Sequence, residues 1–251
     1  MPSFNIWIYS LVSVLIVSLV SLAGVFTLSL KYNKLKKILI YLVSFAAGAL
    51  LAGAFLHLLP ELIEEYGFSL GISSLILLGI VLFFILEKII CWHHYHMPMG
   101  KGHNHSVSYM ILVGDGLHNL LDGLIIGASY LISVPTGIAA TIAVALHEIP
   151  QEIGDFGVLL HSGFSKAKAL AFNFISSLTA FIGLILALVL TNYIGNIQFF
   201  ILPIAVGGFI YIAGSDLIPE LNKHPNVKSS ILELISFLSG ILIMASLLFF
   251  E

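Results

Sequence analysis

Apolar residues in this chain do not alternate with polar ones. They run on in blocks of twenty or more, separated by short polar interruptions. A helix needs about 20 predominantly apolar residues to cross the hydrocarbon core of a bilayer. Eight such blocks lie near 4–30, 37–63, 69–92, 106–132, 135–161, 167–191, 197–221 and 228–250. Between them fall Lys31–Lys37, Glu64–Gly67, the His-rich stretch His93–His105, Ser133–Pro135, Ser162–Lys166, Asn192–Asn196 and Lys223–Asn226. Strands of a membrane barrel would be about half as long and would alternate with polar residues, so the pattern predicts helices. Residues 1–251 read as a single transmembrane domain.

Composition narrows the class. The chain is 59% hydrophobic and 9% charged, with mean hydropathy +1.08, whereas soluble domains carry about 25% charged residues. A water-facing globule cannot be covered by so few charges, which excludes a soluble enzyme, a nucleic-acid binder and a disordered chain. Cys91 is the only cysteine, so neither an internal disulfide nor a cysteine metal cluster can form. The first block has no Lys or Arg before its apolar run and is read as a retained helix rather than a signal peptide. Every cation is a lysine, at 31, 34, 36, 37, 88, 101, 166, 168, 223 and 228. All lie in or beside the first, third, fifth and seventh connections. By the positive-inside rule those connections are cytoplasmic and both termini extracytoplasmic. The expectation is an all-α integral membrane protein of eight transmembrane helices. Its short loops suggest a prokaryotic inner membrane.

The second block ends in Leu58-Leu59-Pro60-Glu61-Leu62 and the seventh in Leu217-Ile218-Pro219-Glu220-Leu221. The same offset pairs Gly48 with Gly207, Ala54 with Ala213 and His57 with Asp216. Helices five apart cross in opposite directions, so the match predicts an inverted repeat of three, two and three helices. Secondary transporters commonly use such repeats and bind substrate near the midplane.

Ionisable residues inside a span cost about 2.5–3.5 kcal/mol each on insertion scales. The fourth and fifth blocks concentrate them: Asp115, His118, Asn119 and Asp122, then His147, Glu148, Gln151, Glu152 and Asp155. Helical periodicity stacks Asp115, His118 and Asp122 on one stripe. In the fifth block it puts His147 and Gln151 on one stripe, with Glu148, Glu152 and Asp155 beside them. If the two helices are antiparallel neighbours, His118, Asp122, His147 and Gln151 converge on one point, and Asn119, Glu148 and Glu152 line a second. Mixed imidazole, carboxylate and amide donors suit Zn²⁺, Fe²⁺, Mn²⁺ or Co²⁺. Pro150 is expected to break the fifth helix locally, and Gly116, Gly123 and Gly127 to admit a close neighbour.

His118-Asn119-Leu120-Leu121-Asp122-Gly123 and His147-Glu148-Ile149-Pro150-Gln151-Glu152, with Ile153-Gly154-Asp155-Phe156 following, resemble the paired signatures of ZIP (Zrt/Irt-like) metal transporters. The second resembles the subfamily with a His-Glu-x-Pro-x-Glu motif. The resemblance covers the whole chain and implies uptake of a divalent transition metal, zinc foremost and cadmium among the others, into the cytoplasm through a binuclear site, with no organic cofactor. By motif position, His118, Asp122, His147 and Gln151 would hold one metal. Asn119, Glu148 and shared members would hold the second, with Glu152 a ligand or beside it. Position 151 is often His in that subfamily, and Gln is the weaker ligand. The family also implies a homodimer, in which helices 1, 4, 5 and 6 move against a scaffold of 2, 3, 7 and 8.

Matched positions suggest an entrance relay at His57 and Glu61 and an exit relay at Asp216 and Glu220, with His161 near the exit. Asp115 and Asp155 extend the pathway. His93, His94, His96, His103 and His105 form a cytoplasmic cluster able to bind metal weakly. Asn173, Ser176, Ser177 and Thr179 read as packing residues that could add a ligand. Glu87 and Glu233 are expected to reach solvent. Ser18, Ser21 and Gly24 read as a packing face. Two rivals remain. His147-Glu148 resembles the start of a metalloprotease motif, although Gln151 stands where the second His belongs. A non-transporting metal receptor would bind tightly without flux.

Overall fold

Polar and glycine-rich interruptions end the helices close to where the pattern put them. The computed structural model describes residues 2–27, 32–96, 103–161, 163–221 and 227–250. Among these it contains eight helical rods and no strand. We number them α1 (4–27), α2 (32–66), α3 (Leu70–His96), α4 (His103–Ile132), α5 (Val134–His161), α6 (166–194), α7 (198–221) and α8 (227–250). Six rods contain stretches long and apolar enough to cross a membrane: α1, α2, α3, α6, α7 and α8. The other two, α4 and α5, are those whose apolar runs are diluted by the acidic and imidazole side chains. The chain is an all-α membrane protein, and the two rods outside that set have partners to bury them.

Three boundaries differ from the sequence reading. The Lys31–Lys37 break is helical from Tyr32 onward. The His-rich stretch is also largely helix. His93, His94 and His96 fall in the last turns of α3, and His103 and His105 in the first turn of α4; residues 97–102 and the histidine side chains lie outside the described part. Pro150 does not interrupt α5, which runs unbroken from Val134 to His161. A buried proline is tolerated where neighbouring helices pack around the freed carbonyl.

Helix geometry changes instead at Pro60 and Pro219. Each proline withholds an N–H from the preceding turn, and that turn widens into a π-helical segment, Gly53–Leu58 in α2 and Ile212–Leu217 in α7. Leu59 N–H then donates to Ala54 O, and Ile218 N–H to Ala213 O. The two segments occupy the positions that the Leu-Pro-Glu-Leu match equated.

The packing follows the same equivalence. α2 packs on α8 and α7 on α3; α1 packs on α5 and α6 on α4. A Cβ on Gly48 would lie 2.1 Å from Phe237 O and one on Gly207 2.1 Å from Ile76 O, so both crossings need glycine. Ser18 and Ser177 are themselves equivalent and bond to each other reciprocally. Ser18 Oγ donates to Ser177 O (3.1 Å), and Ser177 Oγ donates to Ser18 O (3.2 Å). Ser21 joins this contact, and Gly24 lies against the Phe156 ring, so the small-residue face of α1 is a packing face.

Candidate metal centre

α4 and α5 form a hairpin hinged at Ser133. Gly137 packs on Tyr130 near the hinge, and further down His147 meets His118 and Gln151 meets Asp115, the pairing of antiparallel neighbours. α6 closes the other side of α4. A Cβ on Gly123 would lie 1.9 Å from Ala180 O, and one on Gly183 would lie 1.9 Å from Leu120 O. This close crossing carries Asn173 and Ser176 to the acidic faces of α4 and α5.

Two groups of potential ligands result, and Glu148 belongs to both. In the first, ligand atoms of His118, Asp122, His147 and Glu148 lie within 4.8 Å of one another. His118 Nε2 is 3.1 Å from His147 Nε2 and 3.5 Å from Glu148 Oε1, while His147 Nε2 is 3.7 Å from Asp122 Oδ2. His147 Nδ1–H donates to Ala143 O at 3.1 Å, which leaves the Nε2 lone pair facing the group. Fixing the tautomer through the far nitrogen is how a ligand imidazole is oriented. The second group is Asp115, Glu148 and Glu152. Asn119 Nδ2 donates to Asp115 Oδ1 at 2.9 Å, Gln151 Nε2 does so at 3.4 Å, and Ser176 hydroxyl donates to the other Asp115 oxygen. Asn173 Nδ2 donates to Glu152 O at 3.1 Å.

The balance of donors and acceptors is one-sided. Asn119 Oδ1, Asp122 Oδ2, Glu148 Oε1, both Glu152 carboxylate oxygens and Asn173 Oδ1 are buried without a hydrogen-bond partner among the described residues. Buried polar atoms are nearly always paired, and leaving one unpaired costs about 1–3 kcal/mol. Unpaired atoms that are all acceptors are what a cation satisfies. Imidazole nitrogen beside carboxylate oxygen fits a divalent transition metal, for which oxygen alone would be the poorer set.

Set against the sequence reading, His118, Asp122 and His147 come together as expected. Glu148 takes the fourth place in their group, and Gln151 turns to Asp115. Asp115, read as a pathway residue, belongs to the second group. Asn119 and Glu152 lie at that second point, and Asp155 is half-buried outside both. Asn173 and Ser176 enter the site from α6, a role the sequence left beside a packing reading because single Asn and Ser residues usually join membrane helices. His57 is buried and donates from Nε2 to Met244 O on α8 at 2.9 Å, while Glu61 is half-buried. Asp216, Glu220 and His161 have helical backbones, and their side chains lie outside the described part. One expectation is corrected. Glu233 is buried and accepts from Ser229 Oγ at 2.6 Å, a neighbouring hydroxyl supplying the partner that water would have been. Glu87 is half-buried and accepts from the Tyr211 hydroxyl.

Known proteins similar to this chain are metal transporters by name. The ZIP zinc transporter family pattern matches residues 4–109 and 105–248. Human zinc transporter ZIP10 is 37% identical over 52% of this chain, an alignment spanning 17% of ZIP10 itself. Rat metal cation symporter ZIP8 is 28% identical over 88% of this chain and 64% of its own length. Mouse zinc transporter SLC39A7 is 26% identical over 97% of this chain and 70% of its own. These are animal proteins and lend no support to a prokaryotic inner membrane. With two matched blocks covering almost its whole length, the chain belongs to the ZIP zinc transporter family.

Proposed function

We propose that the protein moves a divalent transition metal, zinc before iron, cadmium, manganese or cobalt, across the membrane into the cytoplasm. The observation that carries this reading is the buried cluster shared by α4 and α5, whose unpaired atoms are all acceptors. His118, Asp122, His147 and Glu148 hold one ion. Asp115, Glu148, Glu152 and Asn119 hold a second, with Glu148 as the bridge and Gln151 fixing Asp115. The names of ZIP10, ZIP8 and SLC39A7 support zinc and related cations as cargo.

The mechanism is alternating access through eight spans with both termini outside. The ion enters past Glu61 and His57, sheds water onto the first group and leaves toward Asp216, Glu220 and His161. The His57 contact with Met244 O supports a closed entrance, since a histidine held by a backbone carbonyl on α8 is not presented to solvent. Two such chains form a homodimer, a reading that rests on the family resemblance. His93, His94, His96, His103 and His105 receive or sense metal on the cytoplasmic side. Replacing all five by Ala leaves the initial rate largely intact, and complete loss of uptake contradicts a sensing role. Hydrolysis is disfavoured because Gln151, in the place of a second motif histidine, faces Asp115.

Proteoliposomes with an entrapped fluorescent indicator test the reading. Influx of Zn²⁺ without influx of Mg²⁺ is expected. Tight zinc binding with no flux contradicts transport and favours a receptor.

A further inference from the structure

A cavity of about 100 Å³ lies between α3, α4 and α7, and His118 forms part of its wall. His118 is also the one member of its ligand group with appreciable exposure, 17% against 1–2% for Asp122, His147 and Glu148. The metal centre therefore communicates with this space through a single imidazole. Phe83 packs edge-on against that ring, with centroids 6.4 Å apart. The wall is otherwise apolar, with Leu117, Leu121 and Ile212 among its residues, apart from Glu87 and Tyr211. Among the described residues Glu87 is the one carboxylate on the wall, and the Tyr211 hydroxyl donates to it.

An apolar cavity is a poor path for a divalent ion, because charge is costly wherever water is excluded. A carboxylate on the same wall as His118 changes this. The phenol holds its position through one oxygen, and a carboxylate offers about four lone-pair sites, so acceptor capacity remains. Glu87 lies near the end of α3 that leads toward the lysine-bearing third connection, while Asp216 lies one turn beyond Ile212 on α7. The geometry points to Glu87 as an additional binding station for the transported divalent cation, positioned by Tyr211, which takes the ion from His118 on its way to the cytoplasm. This assignment rests on the transport reading above.

Glu87→Gln keeps an acceptor for Tyr211 and removes only the charge, so it separates a cation station from a mere tie between α3 and α7. Zinc flux into proteoliposomes and equilibrium zinc binding in detergent are measured on wild type, Glu87→Gln and Tyr211→Phe. The expected result is flux lowered by about tenfold in Glu87→Gln with affinity changed by less than about twofold, the pattern of a lost transfer step rather than lost ground-state binding. Tyr211→Phe, which keeps the carboxylate but frees it, lowers flux by less. Wild-type flux in Glu87→Gln overturns the assignment and leaves transport standing. Equal losses of flux and binding in both variants overturn it in favour of a structural tie. A wild type that binds zinc without flux removes the transport reading, and this station with it.

Discussion

Asp122 and His147 are the side chains on which the metal site most depends, because each presents a ligand atom to the first group from a buried position. Replacing Asp122 by Ala removes a buried oxygen that has no hydrogen-bond partner among the described residues. The fold should therefore survive, with a melting temperature in detergent no lower than the wild type's. Zinc affinity should fall by at least about 100-fold, since even partners outside the ligand shell are worth about 10–100-fold. Competition with a chromogenic chelator measures both variants, and His147→Ala is expected to behave alike. Protons compete for the same lone pairs. Apparent zinc affinity should therefore fall as the solution is acidified, because a protonated ligand cannot bind the ion.

At the scale of single helices, the glycines separate into two kinds. A Cβ at Gly123 or Gly183 runs into the opposing backbone, whereas a Cβ at Gly157 meets nothing within 4 Å. Gly123→Ala should cost about 1–3 kcal/mol of stability, the usual penalty for overpacking, while Gly157→Ala should be neutral or slightly stabilising. Thermal unfolding in detergent reads both. The contrast also marks what was legible in the sequence. The helices, the polar stripe of α4 and the need for a close neighbour at Gly123 follow from periodicity alone. The exchange of Gln151 for Glu148 does not, because the rotation of α5 about its axis is set by what α5 packs against. Ala143 sits against Gly53, where an added Cβ would lie 2.9 Å from the Ala143 Cβ, and neither residue belongs to the motif. Burial of Glu233 was hidden for a similar reason, since its hydroxyl partner sits one turn away on an otherwise exposed-looking helix end.

Across the whole molecule, the repeat seen in a five-residue motif extends to π-helical segments, glycine crossings and a reciprocal serine contact. Equivalent glycines should then be equivalent energetically. Gly48→Leu and Gly207→Leu are expected to lower the melting temperature by similar amounts, and a large difference would mean that the two crossings carry unequal load. The halves differ where chemistry enters. Phe83, His118, Glu87 and Tyr211 border a cavity on one side, while on the other His57 is tied to Met244 O. That asymmetry could not be read from the motif, which matches positions and says nothing about which of them are packed shut. The central claim is that the acceptor cluster between α4 and α5 is where the metal sits. Anomalous diffraction from crystals of the zinc-loaded protein tests it most directly. A zinc peak about 2.0–2.1 Å from Nε2 of both His118 and His147, with Asp122 or Glu148 oxygen completing the shell, is the predicted result. Zinc bound only elsewhere, with His118 and His147 still touching each other, would contradict it.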